Sequence, residues 1–525
     1  MKTHPTSAYT LLPACVLCYL LLLFSCHEDK GNYAYLTLDE VTIDTAGTGV
    51  LPAYALYRYD PLQIAPLVYL NGKRVEADEQ MDQQLDCLWT IYKATTGGTA
   101  YPVDTIGRGL MLDTIITQPA GVWIVRFTVT RKETGISTFM KINLQIDETI
   151  SDGWMVLYEK EGNTDAGLIV NDRIKKGVTR ERLLLDIYST SNGGQRLSGK
   201  PVAILHSTVA LGSAEVLLAS ERDLVAVEKN SFGLYLTMDE LFWTPPDTRS
   251  ISYLGANNTR REVTIVNNRI HYVNYMSSGT FRINAFGPAC TGDHGLLAPW
   301  LSSYFSNSFE AVAYDQTRQR FLCVEANGVA VDTLSSKDKT AFDVNHVGME
   351  MLFSDFGRSN YEYSLMRQGT THALLVSNFA TTNRLSDKIA IAKYDMSDCP
   401  AIAGVSSIAA GGLGEILYYA SGADLYLFKY NVTGADRIQH AWSAPPGETI
   451  TCVRLQKFYN PTFVLTGLLI NNYGVIYIAT WNETTRVGTV YQLNANPSNG
   501  TLDDASRATY TGFGKVKEMG WKWTL

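Results

Sequence analysis

The sequence predicts an all-β protein, an N-terminal β-sandwich followed by a β-propeller-like domain of about six to eight blades. Three observations carry this expectation. Apolar and polar residues alternate with a period of two over several short segments, which is the period of a strand. Two-stranded apolar units with polar turns recur at roughly 40 to 60 residues, the interval at which four-stranded blades repeat around an axis. Finally, the 525 residues include 30 Tyr and 42 Gly but only 17 Pro, a composition that suits strands and tight turns better than helices.

The elements follow in chain order. Lys2 is the only formal charge before Glu28, and the apolar stretch from Leu11 to Phe24 is too short to span a bilayer as a helix but matches the core of a signal peptide. It ends in Leu23-Phe24-Ser25-Cys26, which is similar to a bacterial lipobox. Residues 1–25 are therefore expected to be removed and Cys26 to carry a lipid, which anchors a protein to a membrane without spanning it. His27, Glu28 and Asp29 open an acidic linker over 26–32 that resembles a surface-export signal. Residues 33–148 read as an immunoglobulin-like sandwich, with strands beginning at Tyr33, over Leu88 to Tyr92, Val122 to Thr130 and Thr138 to Ile146. Glu133-Thr134-Gly135 makes the tight turn of the last hairpin, and Trp89 is assigned to the core.

Residues 153–525 form the propeller-like part. Hairpins are expected at Trp154 to Val170, Val216 to Val227, Val263 to Tyr275, Phe309 to Val324, Ala373 to Tyr394, Ile416 to Phe428 and Phe463 to Trp481. A short helix is expected over Thr179 to Tyr188, where Leu183, Leu184 and Ile187 make an apolar stripe. In a ring fold the last strand commonly closes onto the first blade, and Met519 to Trp523 suits that purpose.

Cys26 to Tyr33, the order Pro119-Ala120-Gly121-Val122-Trp123 before the final hairpin, Gly153-Trp154-Met155-Val156-Leu157, and Gly512 to Val516 together resemble the PKD-like family of Bacteroidetes lipoproteins. The resemblance implies an immunoglobulin/PKD-like sandwich, an outer-membrane location facing the cell exterior, and association with SusC/SusD-like import complexes. Its motifs are structural and transfer no catalytic residue.

The chemistry of the remaining residues excludes more than it selects. The formal charge is −8 and no long basic run occurs, so a grip on nucleic acid or anionic headgroups is not indicated. Beyond Cys26, the scattered Cys87, Cys290, Cys323, Cys399 and Cys452 fit neither a disulfide framework nor a CxxC metal site, and buried free thiols are expected. Asp293-His294 and Asp343 with His346 supply too few ligands for a metal, Ser336 to Lys339 matches SxxK only in a charged turn, and Gly411-Gly412-Leu413-Gly414 reads as a turn into the strand at Ile416. No catalytic residue, metal or cofactor is assigned. Asp239, Glu240, Asp355 and Glu362 are read as solvated loop carboxylates.

The ligand candidates are the aromatic residues Trp300, Tyr304, Phe305 and Trp243, because aromatic faces in loops give sugar rings or peptide side chains a large contact area at low entropic cost. The expected function is a non-catalytic accessory protein that captures a glycan, peptide or metal chelate for a SusC/SusD-like transporter. The alternatives are a propeller glycosidase or lyase working with carboxylates in the central cleft, and an adhesin or scaffold.

Overall fold

The computed structural model describes residues 40–522 apart from 78–82, 95–101, 148–149, 151, 179, 208–214, 257–261, 274–284, 303–308, 382 and 458–470. The signal segment, Cys26, the acidic linker, Tyr304, Phe305 and Trp523 therefore lie outside the described residues.

The N-terminal unit is a sandwich. Its main sheet runs in the order Ala53–Tyr57, Ser137–Asp147, Gly121–Arg131, Leu85–Lys93 and Asp104–Arg108. Only the first of these pairs is parallel. A second sheet of Val41–Asp44, Leu67–Leu70 and Lys73–Arg74, with the pair Pro61–Ile64 and Leu112–Ile115, supplies the facing side chains. Strict alternation in Gly121–Arg131 explains the packing. Trp123, Val125, Phe127 and Val129 enter the core, while Ile124, Arg126 and Thr128 are only partly buried on the opposite face. Trp89 stacks on Phe127 at 4.2 Å between centroids, and its Nε1 donates to the Gly109 carbonyl at 3.0 Å. That bond is what lets an indole sit fully inside.

Seven sheets follow among the described residues, six of four strands and one of three. The second and third strands of each are apolar on both faces, as in Glu215–Ser220 and Phe309–Asp315, where every residue is buried. This is the pattern of sheets covered on both sides by neighbouring sheets. The first strands of successive sheets pack against one another in a cyclic order: Pro201–Ser207, Ile251–Ala256, Leu297–Ser302, Glu350–Phe356, Val405–Ala410, Glu448–Leu455 and Lys515–Lys522, which returns to Pro201–Ser207. The arrangement is propeller-like. Lys515–Lys522 pairs with Gly153–Lys160 and so completes the first sheet from the other end of the chain.

The expected hairpins fall on adjacent strands in most sheets, with two differences. In the fifth sheet the expected Ala373 to Tyr394 unit is the pair Thr371–Ser377 with Ala390–Asp395, the outer pair of the sheet, while the central hairpin is Glu362–Gln368 with Thr371–Ser377. In the seventh it is Val475–Asn482 with Val487–Ala495, and Phe463 lies outside the described residues. The expected helix over Thr179 to Tyr188 is corrected. Arg182–Leu184 is instead the edge strand of the first sheet, paired with Leu168 to Val170, and only Ile187–Ser191 is helical. An open backbone ladder next to Asn163–Val170 outweighs the helical spacing of three apolar residues, because helix propensity is a weak prior against tertiary pairing.

Sandwich and propeller-like unit are joined through the turn between Tyr57 and Asp60. Tyr59 is buried in the same core as Met155, Ile187, Val216 and Phe232. Its hydroxyl bonds Ser191 Oγ at 2.9 Å and donates to the Ser231 carbonyl. Arg58 Nη1 donates to the Asn230 carbonyl at 2.8 Å, and Arg182 donates to the Arg58 carbonyl. No described helix is long and apolar enough to cross a membrane.

Candidate ligand channel

The cyclic order of first strands encloses a cavity of about 850 Å³ to which all seven contribute lining residues. First strands suit this position because, unlike the second and third, they carry polar and partly exposed side chains: Ser354, Ser406, Thr451, Arg454 and Glu518 are all half-buried.

Several of its charged groups are arranged in fixed pairs. Arg454 donates from Nε and Nη2 to the two carboxylate oxygens of Glu518, each at 2.6 Å, a bidentate fork that ties the seventh sheet to the first. Lys457 Nζ donates to Asp355 Oδ2 at 2.5 Å and to the Phe356 carbonyl at 2.7 Å. Asp355 Oδ2 also accepts from the Ala410 amide at 2.8 Å, so one ion pair laces the fifth, sixth and seventh sheets together. The Lys457 side chain is only 4% exposed, and burial lowers its ammonium from the ordinary lysine range against the pull of Asp355.

Glu362, 5% exposed, accepts from Ser302 Oγ at 2.6 Å and from Ser354 Oγ at 3.2 Å. Burial pushes its carboxyl up to about 7. The same device occurs between the second and third sheets, where Ser207 Oγ donates to Glu262 Oε1 at 2.5 Å. The Cys452 thiol, also on the wall, is pushed up to about 12 by burial, so it is held as a neutral thiol. His206 is driven down to about 3, again chiefly by burial, and stays uncharged.

The aromatic candidates separate. Trp300 is in the channel wall but 8% exposed, with its ring 6.3 Å from Phe321 and 6.4 Å from Phe379, so it fills the space between sheets. Trp243 is 65% exposed, follows the short helix Met238–Leu241 and does not line the cavity. Asp239 and Glu240 are solvated as expected. Asp239 pairs with Arg249 at 2.5 Å, and Glu240 closes a capping box with Thr237. Asp355 and Glu362 are the correction: both are strand residues turned to the channel. The sequence reading missed Arg454, Lys457, Lys517 and Glu518 altogether. A signal existed in Arg454 and Lys457, charged residues within or just after the strand Glu448–Leu455, where they interrupt or follow the apolar Cys452, Val453 and Leu455.

The remaining candidates take structural roles. Asp293 is held by Arg318 at 2.8 Å, and Asp343 by Lys339 at 2.7 Å with His346 at 3.3 Å. No group of three metal-ligating side chains occurs among the described residues. Cys87, Cys290, Cys323, Cys399 and Cys452 are buried and free. The glycine run is a close crossing of backbones, in which a Cβ on Gly414 would stand 2.1 Å from the Ser498 carbonyl oxygen.

Residues 26–201 match the PKD-like family, a span that includes the sandwich and runs through the first three strands of the first propeller-like sheet. Among solved structures, a quinonprotein alcohol dehydrogenase-like protein from Bacteroides thetaiotaomicron is similar at 13% identity and a TM-score of 0.47, covering 92% of this chain and 99% of that one. A dihydro-heme d1 dehydrogenase is similar at 9% identity and a TM-score of 0.37, over 75% and 72% of the two chains. The WD40 domain of SCAP from fission yeast matches at 8% identity and a TM-score of 0.34, over 60% and 74%. No curated protein matches the chain.

Proposed function

We propose that this chain is a non-catalytic capture protein, anchored in the outer membrane by a lipid on Cys26 and facing the cell exterior. In this reading the sandwich is a spacer, the seven sheets are the blades of one propeller, and the central channel holds a ligand for a neighbouring SusC/SusD-like importer. The observation that carries the binding role is the cavity itself, an enclosed space of about 850 Å³ reached by every blade, within the size range of small-molecule sites. The observation that argues against catalysis is the state of its acids. Asp355, Glu362 and Glu518, the acids carried on the channel strands, are each committed to hydrogen bonds that hold neighbouring blades together, so none of these three is left to move as a reaction proceeds.

The test combines anchoring and capture. Cys26→Ala is expected to abolish incorporation of labelled palmitate and to move the protein out of the membrane fraction. A gentle pull-down of the unaltered protein from native outer membranes is expected to bring an importer with it. Retention of the Cys26→Ala protein on the membrane, or a pull-down without any importer, sinks the reading. The competing hydrolase reading is favoured by one observation, a carboxyl near 7 inside a cavity, the property of a general acid. It requires hydrolysis of some glycan that Glu362→Gln abolishes.

A further inference from the structure

The channel wall is divided by chemistry. On the second to fifth sheets the wall carries the partly exposed apolar side chains Val202, Leu205, Tyr253, Leu352 and Phe353, and its charges there offset one another: Arg222 adjoins Glu221 in the chain, Arg249 pairs with Asp223 and Asp239, and Asp355 pairs with Lys457. The Tyr253 hydroxyl is spent on the Leu301 carbonyl at 2.9 Å, so its ring behaves as an apolar surface. On the sixth, seventh and first sheets the corresponding residues are Ser406, Thr451, Arg454, Lys517 and Glu518. Glu518 is neutralised by Arg454, whereas Lys517 is exposed to the channel and makes no ion pair with a described residue. That half of the wall therefore carries an uncompensated positive charge. The Arg454 guanidinium adds hydrogen-bond donors rather than net charge, since its bonds to Glu518 and to the Val453 carbonyl leave part of its fork uncommitted.

A neutral ligand would leave Lys517 unused, and a cation would be repelled by it. Partial desolvation inside the channel strengthens both effects relative to an open surface. We infer that the channel selects a small amphipathic anion, with its carboxylate or equivalent group at Lys517 and Arg454 and its apolar body against Leu205, Leu352 and Phe353. This inference rests on the reading of the channel as a ligand site and adds the ligand's chemical class to it.

Decanoate, decanol and decyltrimethylammonium share one apolar body and differ in charge. Titrated calorimetrically into the full mature chain, decanoate is expected to bind and the other two to bind about tenfold more weakly or not at all, the loss associated with one charge-assisted contact. Lys517→Gln is expected to weaken decanoate about tenfold while leaving decanol unchanged, and to leave the melting temperature unaltered because Lys517 is exposed. Trp243→Ala, remote from the cavity, should bind as the parent does. Equal affinity for decanoate and decanol, no binding of decanoate, or indifference to Lys517→Gln overturns the inference. An importer captured from membranes without decanoate binding would sink the ligand class alone, and decanoate binding lost in Lys517→Gln without any importer would sink the transport reading alone.

Discussion

Glu362 loses most of its hydration on folding and regains only two hydroxyl donors, from Ser302 and Ser354. Its carboxyl rises from the ordinary 4.5 to about 7. The folded chain thus binds more protons than the unfolded chain between those values, and this residue's contribution to stability falls as pH rises through that window. Nearby Asp355 makes the charged form costlier still, and Lys457 offsets part of that cost. Glu362→Gln keeps an acceptor for the hydroxyls and removes the charge. It is expected to stabilise the protein by about 3 kcal/mol at pH 8, with the difference shrinking toward pH 5. Urea denaturation at the two pH values measures this, and a difference independent of pH would refute it. Residues of this kind are poorly legible in a sequence. Asp355 and Glu362 flank a short polar link between two strands, which by itself reads as a solvated turn. Only the placement of that link beside the fourth and seventh sheets removes the water.

The strands differ in how plainly they can be read, and the reason is where each stands in its sheet. Second and third strands are buried on both faces and show as continuous apolar runs, such as Ile416–Ser421. First strands carry channel residues such as Ser406, Arg454 and Lys517, and fourth strands are short or half-exposed, as in Leu234–Leu236 and Ala390–Asp395. Neither type has a clean period, so the sequence reading recovers hairpins rather than whole sheets. The seam between the seventh and first sheets is held by a buried polar chain. Tyr477 donates to Gln456 Oε1 at 2.7 Å and accepts from Gln492 Nε2 at 2.9 Å, while Asn171 Nδ2 donates to Gln492 Oε1 at 2.9 Å. The Tyr477 ring stacks on Trp154 at 3.8 Å. Tyr477→Phe keeps the stack and deprives two buried amides of a partner, so a loss of about 1–3 kcal/mol is expected in chemical denaturation. No loss would show that the polar chain is dispensable.

At the scale of the molecule, the sandwich and the propeller-like unit share one core through Tyr59 and a set of charged contacts around Asp60, including Arg180 at 2.9 Å and Arg182 at 3.3 Å. A single calorimetric transition is therefore expected for the parent chain. Tyr59→Ala, which removes both the shared packing and the bonds to Ser191 and Ser231, is expected to split it into two. If one transition persists, the joint does not couple the units. The joint was not legible in the sequence, where Arg58, Tyr59 and Asp60 resemble any polar turn. The closure was legible, because a terminal run ending in Met519 and Trp521 has no use on a solvated tail.

That closure also sets a schedule. Gly153–Lys160 waits for its partner until Lys515–Lys522 has been synthesised, an interval on the order of tens of seconds at ordinary translation rates. Throughout that time the earliest blade presents an unsatisfied edge, and the ring cannot lock while the chain is still emerging. The sandwich and the other six sheets pair within their own stretches of chain, so the last residues to arrive complete one sheet and with it the cyclic packing of all seven.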